Sequence, residues 1–166
     1  MRDDVVIISN FFDAEDARNI MLYLDKLESE GIMSERSFGR LGIVNLEDPY
    51  LKKYVDFYQK KVNNHFNDDF NKLAEYTMSI YKVGVGMDMH FDSKEGTEMG
   101  ALFYLNDDYI GGELIIEDNF RYKPKALDLL YYPTHLMHGV APVTDGKRYM
   151  FGIFCYKGDV IPLAMY

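Results

Sequence analysis

The stretch "GMDMHFDSKEG", residues 86–96, sets an imidazole and a carboxylate two residues apart, at His90 and Asp92. In an extended backbone successive side chains alternate between faces, so these two project to one side while Phe91 packs on the other. That side then offers two donors to a single metal ion. Asp88 shares the face, so spacing alone leaves open which acid would serve. A third donor must come from elsewhere, and the chain has only 4 histidines. Of these, His135 and His138 fall in "YYPTHLMHGVAPVTDGKRY", a late β-rich stretch able to face the first pair. His65 lies at the polar end of a helical stretch and reads as a structural or surface residue.

The elements that must position these residues are legible in outline. "VVIISNFF" is β-branched and predicts a first strand. Asp13 then offers an N-cap, and Ala17, Ile20, Met21, Leu24 and Leu27 recur at helical spacing until Gly31 stops the helix. A second helix is predicted from about Pro49 to Leu73, with Leu51, Tyr54, Val55, Tyr58 and Val62 as its apolar stripe. Between the helices, residues 31–48 lack periodicity and read as a connecting loop or irregular hairpin. Arg36, Phe38 and Arg40 give that segment a second reading, as a substrate lid. From Glu75 onward, short β-rich runs are cut by glycine, asparagine and aspartate, which points to a sandwich or barrel. Helices first and strands later favour an α+β, mainly β, domain over alternating βαβ units.

The chain has 166 residues, 48% of them hydrophobic and 15% aromatic, enough for one compact domain spanning residues 1–166. With 18 Lys and Arg against 27 Asp and Glu, the formal charge is −9, which disfavours nucleic acid as a partner. The 1 cysteine, Cys155, excludes an intrachain disulfide and suits a reducing cytoplasm; its apolar flanks predict a buried, inert thiol. No signal peptide or membrane-spanning run is evident, so a cytoplasmic location without a membrane partner is expected. Gly111-Gly112 read as a turn, since no capped helix follows.

Two histidines and one carboxylate on one side of an ion leave coordination positions open, as in non-haem Fe(II) oxygenases. Here longer patterns become specific. "YKVGVGMDMHFD", "YLNDDYIGGEL" and "HGVAPVTDGKR", in which Arg148 follows His138 by ten residues, occur in order. Together they make the chain resemble the Fe(II)- and 2-oxoglutarate-dependent oxygenases, most closely the prolyl 4-hydroxylase-like branch, from about Val5 to about Lys157. The resemblance implies a double-stranded β-helix, or jelly-roll, core with an N-terminal strand and two supporting helices. It implies His90, Asp92 and His138 as Fe(II) ligands, leaving Asp88 and His135 outside the set. It assigns Arg148 to the distal carboxylate of 2-oxoglutarate, with Tyr104 helping to bind that carboxylate and Tyr81 lining the pocket. Prolyl 4-hydroxylases proper usually carry lysine where Arg148 stands, a departure that bears on the subfamily and not on the co-substrate.

The activity implied is hydroxylation of an unactivated C–H bond using Fe(II), 2-oxoglutarate and O2, with release of succinate and CO2 and with ascorbate as a further candidate cofactor. Halogenating relatives lack the carboxylate ligand, so Asp92 favours hydroxylation. A prolyl residue in a peptide or protein is the first expectation for substrate, to which an acidic surface would draw a basic target; a free amino acid or small metabolite is the second. The non-enzyme alternative is a cupin-like jelly-roll module binding a non-catalytic metal. Specificity is expected to rest on residues 31–48 and 93–99, and the sequence leaves the oligomeric state open.

One geometric condition follows. In a flat hairpin turning at Asp145-Gly146, Arg148 would pair with Val143, roughly 16 Å along from His138 and facing the opposite side. For one small diacid to reach both, the chain must bend near Pro142 or cross between two sheets.

Overall fold

The computed structural model describes residues 5–43, 48–66, 72–92, 99–117 and 120–156. In chain order the first elements are β1 (Val6–Ile8), α1 (Ala14–Ser29), β2 (Ser34–Glu35), a 3-10 turn (Ser37–Gly39), β3 (Leu41–Ile43) and α2 (Pro49–Phe66). Next come β4 (Lys72–Tyr81), β5 (Met87–His90), β6 (Met99–Tyr104), β7 (Ile110–Gly111) and β8 (Leu114–Ile116). The last five are β9 (Phe120–Tyr122), β10 (Leu129–Pro133), β11 (His138–Val140), β12 (Val143–Asp145) and β13 (Arg148–Tyr156).

Both helices begin where an aspartate can cap them. Asp13 Oδ1 accepts from the amides of Glu15 and Asp16 at 2.9 and 3.0 Å, and Asp48 Oδ1 does the same for Tyr50 and Leu51, satisfying amides that helix geometry leaves without partners. Past the end of α1, Gly31 N–H bonds to Glu28 O and Ile32 N–H to Leu27 O, the paired closure of a Schellman motif. The apolar stripes of both helices pack on one face of the large sheet, with Phe103, Phe151 and Ile153. Tyr58 joins the helices: its hydroxyl accepts from Asp13 N–H at 3.0 Å and donates to Asp16 at 2.7 Å.

The expected helix from Pro49 to Leu73 is too long. Lys72 and Leu73 instead open β4, where they pair with Tyr156 and Cys155 of β13; the long β4–β13 ladder overrides the local helical spacing, while residues 67–71 lie outside the described set. Residues 31–48 hold regular structure as well: β2 and β3 form a short hairpin that adds to the edge of the large sheet through β4. Residues 44–47 of that segment and 93–98 of the second expected specificity loop lie outside the described residues.

All pairings are antiparallel. The large sheet has seven strands in the order β1-β10-β6-β13-β4-β3-β2, and a second sheet has four, in the order β5-β11-β8-β9. Between them lies a second apolar layer in which Leu102, Tyr104, Leu130, Tyr132 and Met150 meet Leu114, Ile116 and Leu136. The architecture is thus mainly β with two helices, as expected. Strand alternation divides the large sheet's residues between the two layers: Phe103 and Phe151 face the helices, while Tyr104 and Met150 face the second sheet.

From His138 to Arg148 the chain changes sheets. His138 belongs to β11 in the four-stranded sheet, β12 pairs with β7 in a separate two-stranded ribbon, and Arg148 opens β13 in the large sheet. Val143 pairs with Gly111, and Arg148 pairs with Tyr81. The flat hairpin is therefore not formed: the chain leaves the four-stranded sheet at Ala141-Pro142 and enters the large sheet after Gly146-Lys147. Among the described residues no helix is long and apolar enough to cross a membrane.

Candidate active site

His90 ends β5 and His138 begins β11, and the two are direct partners across that antiparallel pair. Their ring centroids are 4.5 Å apart. Asp92 follows two residues beyond the end of β5 and turns back toward both rings: its carboxylate oxygens lie 3.3 Å from His90 Nε2 and 3.2 Å from His138 Nε2. The potential ligand atoms of all three lie within 4.8 Å of one another. Phe91 does not pack on the opposite face, contrary to the alternation expected for it. The strand ends at His90, where pairing with β11 stops, and Phe91 is 54% exposed and lines the same cavity.

Each imidazole is oriented by a backbone carbonyl. His90 Nδ1 lies 2.7 Å from Asp88 O and His138 Nδ1 lies 2.9 Å from Leu136 O. A carbonyl oxygen only accepts, so both Nδ1 atoms carry hydrogen and both Nε2 lone pairs face Asp92 in the neutral rings. Two lone pairs against a carboxylate repel unless positive charge lies between them. A divalent ion meets that need, and carbonyl-fixed imidazoles are the arrangement that metal-binding histidines ordinarily have. Asp88, exposed and outside the cluster, contributes through its backbone alone, and His135 is exposed in the turn before β11.

The charges respond to this proximity. Burial works to raise the Asp92 pKa, but donation from His138 and His90 in their protonated forms, together with Tyr132, outweighs it and holds the carboxyl well below the usual range. For His90, burial works to lower the pKa and contact with Asp92 and the Asp88 carbonyl raises it overall. Tyr132, fully buried on β10, donates to Asp92 Oδ2 at 2.5 Å. Its role was not foreseen. The only signal in "LLYYP" is that alternation sends one tyrosine of the pair to each face, and nothing local shows that one of them meets Asp92.

Arg148 is 0% exposed. Its guanidinium carbon lies 4.5 Å from the Tyr81 ring centroid and 5.3 Å from that of Tyr104, favourable stacking for a cation. Yet Nε, Nη1 and Nη2 of Arg148 have no hydrogen-bond partner among the described residues, nor do the buried hydroxyls of Tyr104 and Tyr109. Burial drives the Tyr104 and Tyr109 phenols above their usual range, leaving neutral hydroxyls able to donate. A buried cation without partners costs several kcal/mol. The guanidinium and two phenols form a donor set for a carboxylate, and Tyr109 was not anticipated. Gly112 makes room for it: a Cβ there would lie 2.8 Å from the Tyr109 ring and 3.1 Å from Arg148 Cδ.

One cavity of about 210 Å³ joins these two groups and is lined by His90, Asp92, His138, Tyr81, Tyr132 and Arg148. Arg36, Phe38 and Arg40 of the β2–β3 hairpin line the same cavity, with Phe38 exposed at its outer side. The site thus brings together the residues anticipated for it, with Tyr104 adjoining Arg148.

Against known proteins, the sequence profile of the 2OG-Fe(II) oxygenase superfamily matches residues 76–156, the segment that carries all these groups except the β2–β3 hairpin. A PKHD-type hydroxylase of Rhizorhabdus wittichii is 36% identical over 92 residues, covering 46% of this chain and 40% of that protein. The chain thus spans less than half the length of this curated relative. Among solved structures, a Pseudomonas putida prolyl-4-hydroxylase superposes with a TM-score of 0.78 at 16% identity, covering 93% of both chains. The viral collagen prolyl hydroxylase of Paramecium Bursaria Chlorella virus-1, solved with 2OG, gives 0.76 at 15% identity over 94% of this chain and 97% of that one. At such identities these structures establish the shared fold. With the profile match and the His-Asp-His cluster, they make the chain similar to the 2OG-Fe(II) oxygenase superfamily, with its likenesses on the prolyl hydroxylase-like side.

Proposed function

We propose that the protein is an Fe(II)- and 2-oxoglutarate-dependent dioxygenase, built on a double-stranded β-helix, that hydroxylates an unactivated C–H bond and releases succinate and CO2. The observation that carries this reading is the pairing, in one cavity, of a metal-ready His-Asp-His cluster with a fully buried arginine whose guanidinium has no hydrogen-bond partner among the described residues. Either alone has structural explanations. Together they fit one iron and one diacid.

In this reading His90 Nε2, His138 Nε2 and an Asp92 oxygen hold the ion on one side and leave the cavity side open to exchange. Bound iron with its co-substrate supplies the dioxygen activation and the C–H oxidation; the protein supplies position and exclusion of water. Arg148 pairs with the distal carboxylate of the co-substrate by its planar fork, and Tyr104 and Tyr109 donate hydroxyls to the same group. Tyr132 holds Asp92 in place by donating to the oxygen nearest His138. The apolar wall of Leu102, Leu114, Val140 and Met150 keeps the site dry and strengthens each polar contact within it.

The printed names of the relatives favour a prolyl residue in a peptide or protein as substrate, with a free amino acid or small metabolite as the second reading. The test is turnover in air with Fe(II) and 2-oxoglutarate across prolyl peptides and free amino acids. Succinate release that depends on both additions and is stimulated by a prolyl peptide is expected, with Asp92→Ala inactive. Absence of succinate under all these conditions would remove the enzymatic reading.

A further inference from the structure

Arg36 and Arg40 line the cavity beside Arg148 in a protein whose formal charge is −9. In the β2–β3 hairpin, Ser34 pairs with Gly42 and Glu35 with Leu41, and the register places Arg36 opposite Arg40, with Arg36 N–H bonded to Arg40 O at 2.7 Å. Two like charges are thus direct cross-strand partners, an arrangement that is destabilising without a counter-charge. Both line the cavity. Arg40 reaches over the inner face of β4, where Nη1 is held by Ser79 Oγ at 2.9 Å and by Thr77 Oγ1 at 3.4 Å, while its buried Nε has no hydrogen-bond partner among the described residues. The stem of Arg36 lies across Gly42, where a Cβ would come within 2.8 Å of Arg36 Cγ. Glu75 lines the same cavity.

The turn between the two arginines is strained as well. Phe38 has φ 65°, left-handed backbone that a bulky residue rarely adopts. The result of that turn is an aromatic ring 6.0 Å from the His90 ring. The hairpin therefore presents two guanidinium groups and one aromatic face at the side of the metal cluster, in the same cavity as Arg148.

We propose that Arg36 and Arg40 form a carboxylate subsite for the primary substrate, so that the molecule hydroxylated carries an acidic group held in the cavity beside the Phe38 ring. This rests on reading the cavity as an oxygenase site, in which Arg148 is already engaged by 2-oxoglutarate. It makes the local charge of the hairpin arginines opposite in sign to the overall charge, and an acidic substrate group the feature recognised there.

The test observes the arginine Nε–Hε signals of ¹⁵N-labelled protein loaded with Zn(II) and saturating 2-oxoglutarate, assigned by single Arg→Gln variants. Acetate, acetamide and methyl phosphate are titrated separately at constant ionic strength. A shift of Arg148 on adding 2-oxoglutarate checks the underlying reading by itself. The subsite predicts saturable shifts of Arg36 and Arg40 with acetate, none with acetamide, no parallel shift at Arg18 or Arg121, and at least tenfold weaker acetate binding at Arg36 in Arg40→Gln. Unsaturable shifts, equal shifts at Arg18 and Arg121, a response to acetamide, or saturation by methyl phosphate without acetate would each overturn it. Equal melting temperatures of Arg40→Gln and the parent protein separate loss of the subsite from loss of the fold.

Discussion

His90 and His138 are direct partners across the β5–β11 ladder, so one cross-strand pair sets the spacing of two metal donors. β11 is held on its other side by β8, where His138 pairs with Ile116, while β5 lies at the sheet edge. Of the two imidazoles, that of His138 is therefore fixed by two neighbouring strands and that of His90 by one.

Tyr132 is the side chain that restrains the carboxylate between them. Replacing it with phenylalanine removes the hydrogen bond to Asp92 without removing the ring from the apolar layer. Metal affinity in Tyr132→Phe should fall about tenfold, the lower end of what loss of a ligand's supporting hydrogen bond produces. Calorimetric titration with Co(II), set beside the melting temperature of the metal-free protein, checks both halves. Unchanged affinity would show that Asp92 is positioned without Tyr132.

Gly112 has φ 67° and faces Tyr109 and Arg148. Gly112→Ala should destabilise the fold by about 1–3 kcal/mol through backbone strain alone, and the added methyl should displace the guanidinium and weaken 2-oxoglutarate binding. Denaturant unfolding gives the first quantity and tryptophan-independent calorimetry the second. Wild-type affinity for 2-oxoglutarate in this variant would mean that Arg148 does not need its present place.

The thiol of Cys155 lies in β13 at 8% exposure, and burial pushes its pKa up to about 12, with a hydrogen bond to Gln59 working in the opposite direction. An unfolded thiol titrates near ~8.5, so the native state binds its proton more tightly. This contribution to stability is complete below that pH and is lost as pH rises toward the folded value. At pH 8 the native protein should resist iodoacetamide, whereas protein in denaturant reacts fully. Rapid alkylation of the native protein would contradict the burial.

Asp13 caps α1 through two amides. Asp13→Ala should cost about 1 kcal/mol, read as a lower denaturant midpoint with unchanged slope. The cap is far from the cavity, so metal binding should stay as it is.

Much of this was legible in the chain because it depends on local rules. Asp13 and Gly31 bound α1 by side-chain and backbone chemistry that a short segment contains. The ordered spacing of Tyr81, His90, Asp92, Tyr104, His138 and Arg148 identified the residues that the cavity brings together or adjoins. What escaped depended on distant partners. Lys72 and Leu73 read as helix because their strand partners lie in β13, far along the sequence. Phe91 read as packed because alternation was extended past the point where β5 loses its neighbour. Tyr132 and Tyr109 were hidden among 14 tyrosines, since only the facing of the two sheets shows which of them meet Asp92 or Arg148.

The most direct measurement is the visible absorption of the protein on anaerobic addition of Fe(II) followed by 2-oxoglutarate. Chelation of the ion by the co-substrate at His90, Asp92 and His138 predicts a charge-transfer band that appears only with both additions and is absent in His138→Ala. Arg148→Ala should need much more 2-oxoglutarate to reach the same band while binding the metal as before. No band in the intact protein, or the same band in His138→Ala, would contradict a shared iron and 2-oxoglutarate site in this cavity.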